Sequence, residues 1–345
     1  MSNHFSIIIK DEWSLYRYRN YFYKYLKNNY KLNKFFLYYG KSNIKNSSLI
    51  RIIYEINLYL FKQRKKKTIH LIFSVRAIIL VGLSCFFYKN HTFVGNFTGL
   101  GFSFIGNNLR NKFLKLVIKI CLLNYHYIIV QNTKDKIELQ KIFKKKIFVT
   151  HGSGYKLQDY NQKKFYNNKK INILFASRFI FNKGINDLFN IIKLTNEDKF
   201  FFNINLITDY DNKDSCSEKL LKKLQSFSNV KITLNKKLKK DDFTGNDYFL
   251  SLSYREGLSR VLLESLNFCL PIIAYSVAGV EELVNKETGF KFPVKKYEMI
   301  VNKLDKLSSK YGPKISIKIV KKLLAPYLEK NVLKEYISII NYIEN

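Results

Sequence analysis

Two α/β domains in tandem, each a parallel sheet wound with helices, are what this sequence predicts. Three observations carry the expectation. The chain has 345 residues, too many for one ordinary core, and roughly 150 residues per domain is the usual measure. Short β-branched and aromatic runs alternate with helix-spaced apolar patterns. The alternation stops at one polar stretch and then restarts.

In the first half, strands are expected at FSIII (5–9), KFFLYY (34–39), TIHLIFS (68–74), HTFVGNF (91–97), YIIVQN (127–132) and KIFVTHG (146–152). Apolar residues at helical spacing mark 48–61 and 111–123 as helices between them, and the basic, aromatic-rich stretch 16–30 reads as another. Strand, helix, strand with short connections implies a parallel sheet covered on both faces. The stretch LQDYNQKKFYNNKK (157–170) has almost nothing to bury and reads as a linker. Beyond it come INILFAS (171–177), a helix from about Ile185, FFNINLIT (201–208), a helix near 217–225, VKITL (230–234), DYFLSLS (247–253), a helix over 259–268 and PIIAY (271–275). The expected organisation is a first domain over 1–156, the linker 157–170 and a second domain over 171–325. A last helix over 326–345, after a break at Pro326, is expected to pack back towards the first domain. Ligands of open α/β sheets sit outside the carboxyl ends of the strands, so a cleft between the two domains is the expected site.

The formal charge is +34, from 60 Lys+Arg against 26 Asp+Glu. Such a field favours nucleic acid, an acidic membrane surface or phosphorylated ligands. Lys, Asn, Ile, Tyr and Phe are, however, abundant throughout, as an AT-rich genome would make them. The densest basic run is only Arg64 to Lys67. A hydrophobic share of 47% excludes a disordered chain. Cys85, Cys121, Cys216 and Cys269 are far apart, without metal-ligand spacing, and read as reduced thiols. The start, MSNHFSIIIKDEW, is too polar for a signal peptide, and the longest apolar run, 77–88, is too short to span a bilayer.

The stretch YREGLSRVLLESLNFCLPIIAYSVAG (254–279) carries two acids, Glu256 and Glu264, eight positions apart. The first lies on the loop after a buried strand and the second inside the following helix. Eight residues along one helix would span about 12 Å, more than the roughly 5–9.5 Å of a hydrolytic carboxylate pair. An extended ligand fits better, with one acid at each end and phosphates on the helix N-terminus between them.

With its neighbours, YREGLSRVLLESLNFCLPIIAYSVAGVEELV resembles the signature segment of retaining glycosyltransferase family 4, which has the GT-B architecture of two Rossmann-like domains. The resemblance implies that Glu256 holds hydroxyls of a donor sugar and Glu264 the nucleotide ribose. Gly257, Leu258, Ser259 and Arg260 would present backbone N–H groups to a diphosphate, with Gly279 in the donor-site glycine loop. FASRFIFNKGINDLF (175–189) is similar to the family's second element and supplies Arg178 and Lys183. Two such cations would stabilise a leaving diphosphate without a metal. VGNFTGLGFSFIGNNLRNKF, YIIVQN and THGSG resemble a subgroup acting on lipid-linked sugars in bacterial O-antigen, capsule or glycan assembly. There Thr98, Gly99, Leu100 and Gly101 would form a loop near the transferred sugar. DEWSLYRYRNYF (11–22) resembles that subgroup's acceptor element through Trp13 and Arg19, with Tyr18 where His is usual.

The implied activity is transfer of a hexose or N-acetylhexosamine from a UDP-sugar, with retention, to a polyprenyl-diphosphate-linked saccharide. No cofactor and no metal are expected. The implied partners are the sugar nucleotide, the lipid-linked acceptor and an acidic membrane surface, met by basic aromatic helices such as 16–30 and 111–123. Nucleic acid is not among them, and the place would be the cytoplasmic face of the cell membrane. A donor-binding homologue without activity and a basic nucleic-acid-binding protein are the alternatives. Asp209 and Asp211 spell D-x-D but read as a surface turn, and His151 reads as a linker residue.

Overall fold

The computed structural model describes residues 4–37, 49–101, 104, 109–157, 170–208, 215–307 and 315–345. The Tyr18 side chain, Asp209, Asp211 and most of 157–170 lie outside them. The chain divides into unit 1, residues 1–154 and 326–345, and unit 2, residues 155–325.

Unit 1 runs β1 (His4–Ile9), α1 (Glu12–Asn29), β2 (Lys31–Phe36), α2 (Leu49–Gln63), β3 (Thr68–Phe73), α3 (Val75–Ser84), β4 (Thr92–Asn96), α4 (Leu109–Leu122), β5 (Tyr127–Val130), α5 (Thr133–Gln140) and β6 (Ile147–Val149). Its sheet has the order β2-β1-β3-β4-β5-β6, and every pairing is parallel. Because side chains alternate across a strand, the strands feed two cores. Ile8, Ile72 and Phe93 join Ile56, Ile78 and Ile118 of α2, α3 and α4 on one face. Ile7, Leu71 and Phe73 join Phe22 of α1 on the other.

This geometry corrects one expectation. Helices 16–30 and 111–123 cover opposite faces of a single sheet, so their outer surfaces cannot rest on one flat bilayer together. Helix α1 also starts ahead of the expected 16–30, because the Asp11 carboxylate accepts the Ser14 N–H at 2.6 Å as an N-cap. Strand β2 begins at Lys31 rather than 34, since pairing with β1 extends through polar residues at this sheet edge.

The last helix, α13 (Glu329–Glu344), completes the second face of unit 1 through Val332, Tyr336, Ile339 and Ile340. Asn96 donates to the Tyr336 hydroxyl at 2.6 Å. His151 donates its backbone N–H to Glu335 at 2.9 Å, and its Nδ1 lies 2.5 Å from the other carboxylate oxygen. His151 thus fastens the end of β6 to α13.

Two further histidines are interior. His70 Nε2 is 3.2 Å from His91 Nδ1, and the His70 ring stacks on Phe93. Burial lowers the pKa of both, and that of His126 on the turn before β5. The unfolded chain therefore takes up protons first as pH falls. The stability these groups contribute is present above about pH 6.5 and lost as pH drops towards their lowered folded values. Unit 2 contains no histidine. Trp13, in unit 1, is the single tryptophan of the chain. Its urea midpoint is expected to fall on going from about pH 7 to about pH 5, with a smaller fall in His70→Phe. A midpoint independent of pH would contradict this.

Unit 2 runs β7 (Ile171–Arg178), α6 (Ile185–Leu194), β8 (Phe200–Ile207), α7 (Glu218–Gln225), β9 (Val230–Leu234), α8 (Lys240–Thr244), β10 (Tyr248–Ser251), α9 (Arg260–Asn267), β11 (Ile272–Tyr275), α10 (Ala278–Glu281), β12 (Gly289–Phe292), α11 (Tyr297–Asp305) and α12 (Ile317–Leu324). Its six strands lie in the order β12-β11-β10-β7-β8-β9, all parallel. Counted from β7, this is the doubly wound dinucleotide-binding order, which reverses direction between β7 and β10. The expected fold class, two tandem Rossmann-like α/β domains, is the one observed.

Candidate active site

The reversal point decides where chemistry can be built in unit 2. Helices after β7 and after β10 leave in opposite directions, and a crevice opens at the carboxyl ends of those two strands. Both loops there carry residues singled out in the sequence. Strand β7 ends at exposed Arg178. A single 3-10 turn, Phe181–Lys183, then leads into α6. Strand β10 ends at Ser251, and its loop carries Ser253, Tyr254 and Glu256 before α9.

The two loops are joined. The Tyr254 N–H donates to the Asn182 carbonyl at 3.0 Å. Lys183 Nζ donates to Glu256 Oε1 in a short charge-assisted bond, and Ser253 Oγ donates to the same oxygen at 2.8 Å. Lys183 and Glu256 are 16% and 15% exposed, so the pair is desolvated enough to feel an entering charge yet open on one side. The structure thus brings two of the three expected catalytic residues into direct contact.

Close packing holds this contact. Gly184 has φ +71°, and a Cβ there would lie 2.3 Å from the Leu252 carbonyl oxygen. Only glycine lets the turn after Lys183 approach the end of β10 so closely. Gly279 packs behind the same loop. Its N–H is engaged by the Glu256 carbonyl at 3.0 Å, and a Cβ would sit 2.4 Å from the Gly257 oxygen. It seats the Glu256–Gly257 loop from behind.

Helix α9 starts at Arg260 with Ser259 as its N-cap residue, whose side chain makes no capping bond. The first N–H groups of a helix have no partner within it. Leu258, Ser259 and Arg260 therefore lie where an anion could be received at a positive helix end. Glu264 is half-buried on the second turn, on the face of Arg260.

One element escaped the sequence reading. Asp187, buried in the first turn of α6, accepts from the Tyr275 hydroxyl at 2.7 Å and the Tyr254 hydroxyl at 3.1 Å. Burial, reinforced by Asp187, pushes both phenols well above the ordinary tyrosine range, so they stay protonated donors. This carboxylate ties α6, the β10 loop and β11 behind Lys183 and Glu256. Its only sequence signal was an acid in a helix first turn, which is common.

In unit 1, Thr98 and Gly101 are exposed on the loop after β4. Gly99 and Gly101 adopt φ +130° and +66°. Leu100 is wholly buried in the core beneath them and anchors the loop. Trp13 and Arg19 are not brought together. Trp13 is exposed under the Arg17 guanidinium. Arg19 turns inward at a kink in α1, with its guanidinium 4.5 Å from the Phe73 ring centre. Among the described residues, no group of three or more His, Cys, Asp or Glu is placed to hold a metal ion.

Residues 158–321 match the family described as glycosyl transferases group 1. This group 1 segment contains Arg178, Lys183, Glu256, Glu264 and Gly279. No curated protein matches the sequence. Among solved structures, sucrose-phosphate synthase from Thermosynechococcus elongatus is similar at 14% identity and TM-score 0.77, over 99% of both chains. The lipopolysaccharide outer core galactosyltransferase WaaB is similar at 14% identity and TM-score 0.73, over 98% of this chain and 99% of its own. HepE from Anabaena, solved with UDP and glucose, gives 12% identity and TM-score 0.67 over 99% and 100%. Against TarM (15% identity, TM-score 0.66), 84% of this chain matches and it spans 58% of the other's length. At these identities the likeness concerns the GT-B fold.

Proposed function

We propose that the protein is a retaining glycosyltransferase that moves a hexose or N-acetylhexosamine from a UDP-sugar to a polyprenyl-diphosphate-linked saccharide. The observation that carries the reading is the Lys183–Glu256 contact at the strand-order reversal of a group 1 segment, next to the start of α9. Uridine as the base is supported by the UDP held in the HepE structure. In this reading Glu256 accepts hydrogen bonds from the sugar hydroxyls and Glu264 from the ribose. Leu258, Ser259 and Arg260 receive the diphosphate. Gly257 shapes the loop between the two acids.

As the bond from the anomeric carbon to the phosphate oxygen breaks, its electron pair stays on the diphosphate. Arg178 and Lys183 offset that growing charge. The acceptor hydroxyl bonds to the anomeric carbon on the same face, and its proton passes to the departing phosphate oxygen. No enzyme nucleophile is required. Unit 1 would receive the acceptor through the Thr98–Gly101 loop and Trp13. The polyprenyl anchor and the excess of basic residues are consistent with work at an acidic membrane surface. No described helix is long and apolar enough to cross a membrane.

A thermal-shift panel of sugar nucleotides, followed by transfer assays, tests the proposal. One UDP-sugar is expected to raise the melting temperature, and Glu256→Ala and Arg178→Ala are expected to remain folded but lose transfer. Full transfer by both variants would reject it. A shift with UDP but no modification of any acceptor would make the protein a donor-binding homologue instead.

A further inference from the structure

We propose that the outer surface of α2, the end of α3 and α4 is a face that inserts shallowly into an anionic lipid bilayer. The proposal deepens the acidic-surface reading above and does not depend on the donor site in unit 2.

Helix α4 carries two apolar stripes. One, through Ile118, Cys121 and Leu122, is buried in the unit 1 core. The other, Leu109, Phe113, Leu116 and Ile120, is exposed, with Phe113 64% accessible. At about 100° per residue the exposed four fall within roughly 40° of one line, opposite the buried three. Lys112, Lys115 and Lys119 run along one flank of that line. A helix apolar on both sides is normally buried on both sides.

Helix α2 repeats the arrangement. Ile52, Ile56 and Leu60 are buried, while Ile50, Tyr54, Leu58 and Phe61 face outward, with Ile50 79% accessible. The Arg64 guanidinium lies over the Phe61 ring, at the head of the basic run that ends at Lys67. Helix α3 packs against both α2 and α4. From its end project Leu83, Phe86 and Phe87, the last 85% accessible. All three helices cover the same sheet face, so their outward residues form one apolar field edged by cations.

Apolar side chains flanked by lysines whose stems can reach up to headgroups are what an interfacial helix needs. A second copy of this chain is a poor occupant, because docking the face on itself would oppose like charges in a molecule of formal charge +34. An anionic bilayer complements both the apolar field and its basic rim.

The test is co-sedimentation of the full chain with vesicles of phosphatidylcholine alone or in equal mixture with phosphatidylglycerol. The wild type is expected to bind the anionic vesicles at least about tenfold more tightly than the neutral ones. Phe87→Ser/Phe113→Ser/Leu116→Ser, at exposed positions, is expected to weaken that binding at least about tenfold while circular dichroism stays native. Tyr16→Ser on α1, across the sheet, is expected to bind as the wild type. Anionic-vesicle binding unchanged in the triple variant would overturn the proposal, as would no binding by the wild type. So would a wild-type dimer that the triple variant dissolves without any vesicle binding. UDP binding, measured on the same proteins, reads the donor site separately.

Discussion

Lys183→Ala is expected to lower sugar transfer by about a hundred- to a thousandfold, the usual loss when one pre-placed stabiliser of developing charge is removed. The side chain sits on the turn after β7 and is held by the Glu256 carboxylate. In the proposed reading it meets the diphosphate received at the start of α9. Lys183→Arg retains the charge and is expected to recover part of the rate. A companion measurement separates two roles for the lysine. If Lys183 only orients Glu256, the losses in Lys183→Met and Glu256→Gln will overlap in the double variant. If each grips its own part of the donor, the losses will add. Transfer by Lys183→Ala within about threefold of the wild type would leave the proposed charge stabilisation without its main cation.

Gly184→Ala is expected to destabilise unit 2 by about 3 kcal/mol. A left-handed backbone costs a non-glycine residue about 1–2 kcal/mol, and crowding a closed contact adds about 1–3 kcal/mol. The new Cβ would fall 2.3 Å from the Leu252 oxygen and 2.6 Å from the Leu252 Cβ, so the β10 loop must move and take Glu256 away from Lys183. Urea unfolding followed by far-ultraviolet circular dichroism should show the loss. Trp13 fluorescence reports unit 1, where the substitution is absent, and its midpoint should change little. An unchanged dichroism transition would mean that the loop yields at no cost.

The alternation of strand and helix was legible because buried parallel strands demand continuous apolar runs and their crossovers demand helical spacing. The site stretch was legible for a related reason. Arg178, Lys183 and Glu256 all follow apolar runs that had to be central strands, so each had to stand at a strand end. Helix α3 was not assigned from sequence. Its run 75–84 is apolar on nearly every side because it packs against the sheet, α2 and α4, and a helix buried all round shows no period. Asp187 was missed because its partners, Tyr254 and Tyr275, are 67 and 88 residues away.

Sequence alone determined the fold class and the strand ends at which charged residues gather, since both follow from local pattern and side-chain alternation. Tertiary structure decided which loops touch, because the order of strands in a sheet is set by long-range pairing that no local pattern encodes. It put β10 beside β7, and so Glu256 against Lys183. It also put α1 and α4 on opposite faces of one sheet, so that their outward residues belong to different surfaces.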